Sequence, residues 1–427
     1  MAKRRQAVDV MIATRIHEPE AAAASFRLRA VENAAITAGR RIHVLTVRDA
    51  REQAPIEDTR SPLLHVSRWP VLRDASGYVR GYLPYLSFDI PLVARLLLAP
   101  RPRVLLVEPP PTTGLVVRSV SCLRSLLNRR VPYVWYAADI WSDATAIAGA
   151  HPLVTTVVRW MERTTIRGAT ASIAVSEGVA QRLRDLEPNA RVHVIPNGID
   201  TEIFTPHAAP LSEQERAQIG ITGPFFLYAG TASEWQGAEI FAHAIAQVRE
   251  HHPNVQLVFL GQGSSWEHLS DLNKQRVAAE AERGKSGANT PIIQLPVVAP
   301  DQAARFHVSA VAALVSIVPG RGYDFAYPTK ILSALAVGKP VIYAGTGPAA
   351  EDIRNESLGW AVEYEVDAVA SSMSEALRSA IPPEAASEQE ESPARRRRWV
   401  CAHRSMAATG RQVLQLLESV MAESGSP

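Results

Sequence analysis

Short apolar runs of strand length alternate with helix-length segments along almost the whole chain, and they do so in two successive series. The first series occupies residues 8–13, 42–47, 104–107, 133–137, 171–175 and 192–195; the second occupies 225–229, 255–260, 292–295, 312–317 and 341–344. Each run of the second series is closed by Gly, Pro or polar residues before a helical pattern begins. Parallel strands need a long crossover, usually a helix, so this rhythm specifies an α/β fold of parallel sheets covered by helices. Two Rossmann-like, doubly wound domains account for it better than one very large sheet, and 427 residues exceed a single typical core. The divide is expected within 204–222, where prolines and glycines collect between two strand runs. This gives domains at 1–210 and 211–385, followed by C-terminal helices at 386–427 that are expected to pack back on the first domain. The stretch 381–394, polar, acidic and proline-bearing, reads as an exposed loop.

Composition narrows the partners. Lys and Arg total 45 against 43 Asp and Glu, a net charge of +2 that offers no general electrostatic reason to bind nucleic acid. Cys122 and Cys401 stand far apart without metal-ligand spacing, which points away from a disulfide framework and toward a reducing, cytoplasmic setting. The start, MAKRRQAVDVMIAT, has too brief an apolar run for a signal peptide, and the longest apolar stretch, 91–100 with Arg95 inside it, is too short for a membrane span. The segment 114–130 mixes apolar residues with Arg118, Arg124, Arg129 and Arg130. It reads either as a helix resting peripherally on anionic lipid at the inner face of the cell membrane or as a core-packed helix with solvated arginines.

The segment richest in chemistry is YPTKILSALAVGKPVI at 327–342. Pro328 sets a helix start, Lys330 falls in the first turn, and Gly338 with Pro340 ends the helix before the next strand. A cation and free backbone N–H groups at the carboxyl edge of a sheet suit a diphosphate; the alternative is an ordinary helix start with a solvated lysine. Gly230 opens the turn GTASEWQG after its strand, where missing side chains let backbone approach a pyrophosphate or simply turn the chain. Asp139 follows the 133–137 strand, at an edge where a carboxylate could orient or deprotonate a hydroxyl or merely cap a helix. Asn197, Gly198 and Asp200 read as a turn with a capping aspartate.

These segments, taken in order, resemble a family of glycosyltransferases. The 327–342 stretch is similar to the PSK-x-x-E-x-L-A-x-G-x-P-V-I stretch of retaining, family-4 GT-B enzymes of the WbuB-like bacterial branch. EPEAAAASFR (18–27) is similar to their loop after the first strand, YVWYAADIWSDATAIAGA (133–150) to their strand ending in D-L-W-P-E, and VIPNGIDTEIF (194–204) to their P-N-G-I-D signature. FLYAGTASEWQGAEIFAHA (226–244) and LVFLGQGS (257–264) resemble their nucleotide-domain strands and glycine turns. The resemblance implies a sugar moved from a nucleotide-diphosphate-sugar donor, with no separate cofactor, to an acceptor it does not name. It implies an acceptor-side first domain and a donor-binding second domain facing across a cleft. Asp139 and Lys330 are then the catalytic candidates. Gly230, Thr231, Gln236, Gly263, Asp324, Lys330 and Ser333 are the donor-binding ones, and Glu20 and Arg27 line the first-domain loop, Arg27 as a phosphate or anionic-acceptor ligand or as a plain surface arginine. With no D-x-D in the chain, the leaving group's charge falls to Lys330 and helix dipoles rather than to a metal.

The pattern breaks at one place. Relatives carry an E-x7-E pair, and the second glutamate is Ser333 here, with Asp324 the only nearby carboxylate. A serine makes shorter and weaker contacts to a ribose than a carboxylate does. A catalytically silent GT-B partner protein therefore stays open as a reading, as does a nucleotide-sugar epimerase. A dinucleotide dehydrogenase fails, because Trp266 stands where G-x-G-x-x-G needs its last glycine.

Overall fold

Every strand pairing among the described residues is parallel. The computed structural model describes residues 8–20, 22–48, 61–74, 79, 81–126, 130–147, 149–282, 290–321, 323–324, 326–380 and 391–425. The basic start, Arg129, Gly322 and the acidic stretch up to residue 390 lie outside these.

The chain forms β1 (Val8–Ala13), α1 (Ala23–Thr37), β2 (Ile42–Val47), β3 (Leu64–Trp69), α2 (Tyr82–Leu98), β4 (Pro102–Val107), α3 (Pro111–Leu126), β5 (Tyr133–Ala137), α4 (Trp141–Ile147), α5 (Pro152–Gly168), β6 (Ala171–Ala174), α6 (Glu177–Leu186) and β7 (Val192–Val194). It continues with α7 (Glu213–Gln218), β8 (Phe225–Thr231), α8 (Glu239–His251), β9 (Gln256–Gln262), α9 (Trp266–Glu282), β10 (Ile292–Leu295), α10 (Pro300–Ser309), β11 (Ala313–Ser316), α11 (Lys330–Ala336), β12 (Val341–Ala344), α12 (Pro348–Asn355), β13 (Gly359–Val362), α13 (Val366–Ser379), α14 (Glu391–His403) and α15 (Met406–Gly425). Local signals start the helices. Ser212 and Glu215 close a capping box on α7, Ser176 accepts from Val179 N on α6, and α5, α10 and α12 begin with proline, whose absent N–H costs nothing there.

Two compact units result, residues 1–197 with 406–427, and residues 198–405. The first holds a seven-stranded sheet in the order β3-β2-β1-β4-β5-β6-β7, the second a six-stranded sheet in the order β10-β9-β8-β11-β12-β13. Both are doubly wound α/β sheets whose strand order reverses once, at β1/β4 and at β8/β11. The chain leaves the first unit at Asn197, ahead of the expected 204–222 divide, because Phe204 is already buried beside His307 in the second unit. The final helices separate: α14 packs on α11, with Arg397 holding the Thr201 and Phe204 carbonyls, whereas α15 packs in the first unit.

In the first unit α2, α3, α5 and α6 bury Phe88, Leu92, Val117, Ile166 and Leu183 against one face of the sheet. On the other face α1 and α15 contribute Leu28, Val31, Val413 and Leu417. The described part of the 114–130 segment that lies in α3 is thus core-packed, but its arginines are not simply solvated: Arg124 is buried and donates to Leu96 O, and Arg118 lies against Gly168 and the Tyr133 hydroxyl.

On the other face α1 and α15 cross closely, and a Cβ on Gly410 would lie 2.2 Å from Ala30 O. A larger residue must push the helices apart, so Gly410→Val should destabilise the protein by about 2–3 kcal/mol, seen as a lowered Tm. An unchanged Tm would show that the two helices do not cross this closely.

Candidate functional site

In a doubly wound sheet the loops leaving the carboxyl ends of the strands flanking the reversal diverge and leave a crevice. In the second unit those loops follow β8 and β11. The β8 turn carries Gly230 at φ 119° and Thr231, both exposed, and α11, which follows β11, begins with Lys330. Lys330 reaches back across the reversal. Its Nζ donates to Thr231 O at 2.6 Å and to the Tyr228 hydroxyl at 3.2 Å, and it stands 4.8 Å from the centre of the Tyr228 ring.

Burial of this ammonium pushes the Lys330 pKa down to about 7 from an ordinary 10.5. The phenol below it, pushed up by burial, remains a hydroxyl and donates to Thr231 O at 3.0 Å. The lysine stem packs directly on Gly230, where a Cβ would come within 2.9 Å of Lys330 Cε and the φ of 119° disfavours any side chain. The glycines of the next strand serve backbone packing. A Cβ on Gly261 would meet Gly230 O at 2.2 Å, and one on Gly263 would meet Ala232 O at 2.0 Å, so the β8 and β9 turns touch only because both lack side chains.

The remaining donor candidates divide. Gln236 is buried beneath the turn, where its Oε1 accepts from Ser233 N at 3.2 Å and Ser233 Oγ at 3.1 Å; it shapes the turn and does not face outward. Asp324 is tied to its own loop and to the loop after β12, accepting from Gly320 N at 3.1 Å and Thr346 Oγ1 at 3.1 Å, so turning toward a ribose would break those bonds. Ser333 lies one helical turn after Lys330 and is half-buried.

In the first unit the crevice lies between the loops after β1 and β4. Arg27 there is neither a surface arginine nor open to a phosphate. It is 6% exposed and grips Glu108, with Nη2 2.9 Å from Oε2 and Nε 3.2 Å from Oε1, while Nη1 donates to Asn197 Oδ1 at 3.4 Å. Its guanidinium lies 4.5 Å from the centre of the Tyr136 ring. Burial alone would lower its pKa, but Glu108, Tyr136 and Asp139 together leave it raised and firmly cationic. Glu20 sits in the preceding loop, its N–H bonded to His17 O at 3.1 Å.

Asp139 is exposed just past β5, and it does not cap the helix that follows. Glu162 of α5 does so, accepting from Trp141 N at 2.8 Å and from Ser142 N at 3.2 Å and Ser142 Oγ at 2.7 Å. Asp200 caps its turn through Glu202 N and Ile203 N. Glu108 escaped the sequence reading although it carries the same signal as Asp139, a carboxylate directly after an apolar strand. Glu162 carries no such signal, being a helical glutamate turned inward.

Removing the carboxylate from the buried pair leaves an uncompensated guanidinium. Glu108→Ala should therefore destabilise the protein by about 3–5 kcal/mol in urea unfolding. A variant as stable as wild type would show that Arg27 does not depend on Glu108.

Two family models match the chain, one described as a glycosyl transferase 4-like domain over residues 23–198 and one as glycosyl transferases group 1 over residues 223–379. Among curated relatives, the alpha-maltose-1-phosphate synthase of Mycolicibacterium smegmatis is 28% identical over 53% of this chain and 57% of its own length. A D-inositol 3-phosphate glycosyltransferase of Acidothermus cellulolyticus is 30% identical over 43% of this chain and 40% of its own. The chain thus spans about half the length of the curated relatives it matches. Among solved structures, sucrose-phosphate synthase from Thermosynechococcus elongatus has a TM-score of 0.64 at 17% identity, covering 97% of this chain and 100% of that one. Anabaena HepE in complex with UDP has a TM-score of 0.62 at 16% identity, covering 96% and 100%. At such identities the likeness shows the fold.

Proposed function

Since the chain belongs to the GT-B glycosyltransferases, we propose that it transfers a hexosyl group from a nucleotide-diphosphate sugar, a UDP-sugar being the first candidate, to an acceptor hydroxyl with retention at the anomeric carbon. The observation that carries this reading is Lys330, held at the strand-order reversal of the second unit by Thr231 O and the Tyr228 hydroxyl. UDP in the Anabaena HepE structure supports the choice of nucleotide. The serine at position 333, where the WbuB-like pattern has glutamate, leaves the ribose with a neutral partner and favours one second reading, a GT-B protein that no longer turns over. A protein of that kind would bind UDP weakly or not at all.

In the transfer, the bond from the anomeric carbon to the diphosphate breaks, a bond to the acceptor oxygen forms, and the acceptor loses its proton. Negative charge grows on the diphosphate as it leaves. A cation there stabilises the transition state more than the bound donor, and Lys330 supplies it without a divalent metal. Its lowered pKa fits this use, since a desolvated lysine gains most from an arriving anion, which draws it back to the charged form. On the first unit Asp139, uncommitted to capping, is the group proposed to orient or deprotonate the acceptor hydroxyl. Arg27, locked to Glu108, is proposed to stiffen the acceptor-side loops rather than to hold phosphate.

Lys330→Ala should reduce kcat on the order of 10²-fold or more, with a smaller effect on KM, and Lys330→Arg should recover only part of the loss. UDP release from a panel of UDP-sugars, assayed with EDTA present throughout, measures both. Near wild-type turnover by Lys330→Ala would remove the lysine from the mechanism, and activity that returns only with Mg²⁺ would remove the metal-free charge arrangement.

A further inference from the structure

The helix α2 is apolar on its outer side as well as its inner side, an arrangement that soluble proteins normally bury. Its inner side is accounted for by Phe88, Leu92 and Leu96 in the core. Its polar side chains also turn inward or sideways: Asp89 bonds Thr113, Arg95 bonds the Thr46 and Ser67 carbonyls, and Ser87 bonds Leu72 N and Pro84 O. What remains on the solvent side is Leu83, Leu86, Ile90, Val93, Leu97 and Leu98, with Leu83 at 70% and Ile90 at 67% exposure. Spacings of three and four residues from Leu83 to Leu97 put these side chains in one stripe.

On this side of the sheet exposed cations lie on α5 and just past α2 and α3, while the exposed acids Glu177 and Asp185 stand apart on α6. Helices α2 and α3 lie side by side, as do α3 and α5, on the same face of the sheet. On α5, Leu153, Val157 and Trp160 are exposed. Exposed arginines accompany them at Arg101, Arg130 and Arg159. The three helices hold only two acids, Asp89 and Glu162, and both are buried. This outer surface therefore offers aliphatic and aromatic side chains with cations, and no exposed carboxylate on any of the three helices.

We propose that the outer face of α2 and its neighbours is a docking surface for an anionic lipid membrane, with the α2 stripe entering the acyl boundary and the arginines meeting lipid phosphates. Charge favours an anionic surface over a second copy of the chain, because two copies laid together on α2, α3 and α5 would set Arg101, Arg130 and Arg159 against one another with no exposed acid on those helices to pair. No helix of the described residues is long and apolar enough to cross a membrane, so the contact is peripheral. The inference stands apart from the sugar-transfer reading: it concerns the first unit's surface and holds whatever the donor or acceptor.

The test is co-sedimentation of the full chain with phosphatidylcholine vesicles, with and without phosphatidylglycerol, beside its oligomeric state by light scattering. Wild type should bind the anionic vesicles, more weakly at high salt, and bind pure phosphatidylcholine poorly. The double variant Ile90→Gln, Leu97→Gln should lose at least about tenfold in vesicle affinity. Arg159→Glu, which leaves α2 untouched, should weaken binding to the anionic vesicles alone. Failure of wild type to bind anionic vesicles, or equal binding by the α2 variant, would overturn the proposal, as would a wild-type dimer that the α2 variant dissociates. UDP affinity depends on the other unit and should be the same in wild type and all variants, so loss of vesicle binding is separable from any failure of the donor site.

Discussion

The candidate donor site depends on how closely the β8 and β9 turns and Lys330 can approach one another. Three backbone positions set that limit. Gly230 clears the path of the lysine stem, and Gly261 and Gly263 let the β9 turn press against the carbonyls of Gly230 and Ala232. With the turn drawn in this far, Thr231 O points at Lys330 Nζ and the buried Tyr228 hydroxyl lies beneath it. The half-buried lysine is thereby partly desolvated and given neutral oxygen acceptors instead of a carboxylate. That combination, desolvation without an opposite charge, is what lowers its pKa. A counter-anion is the missing partner, and a diphosphate is one that fits.

The first unit solves the opposite problem. There the cation at the strand-order reversal, Arg27, already has its carboxylate in Glu108 and is closed over by Tyr136. A paired, buried guanidinium holds loops in place but has little left to offer a ligand, whereas the exposed Asp139 has no capping duty. The two crevices thus differ in chemistry, the second unit's presenting Lys330 and the first unit's the carboxylate of Asp139.

Much of the fold was legible in the sequence because central parallel strands are buried on both faces and read as apolar runs, as β5 and β12 do without interruption. The two strands that escaped, β3 and β13, lie at sheet edges, where partial exposure admits residues such as His65, Arg68 and Gly359 and breaks the run. Lys330 and Gly230 were legible because strand, turn and helix signals fixed their places. The partners of Arg27 and the cap of α4 were not, since Glu108 and Glu162 lie 81 and 21 residues from the groups they bind. Nor was the α2 stripe, because its apolar inner and outer sides look alike until the fold shows which one is covered.

The central claim is that Lys330 waits partly neutral for a diphosphate, and calorimetric titration with UDP in buffers of different ionisation enthalpy tests it most directly. The free lysine titrates at about 7, and a bound diphosphate must raise that value, so binding above pH 7 draws a proton from solution. The account predicts uptake approaching about one proton per UDP near pH 8, with affinity falling as pH rises further, and neither effect in Lys330→Ala. UDP binding with no proton uptake, or with the same uptake in the variant, would contradict it.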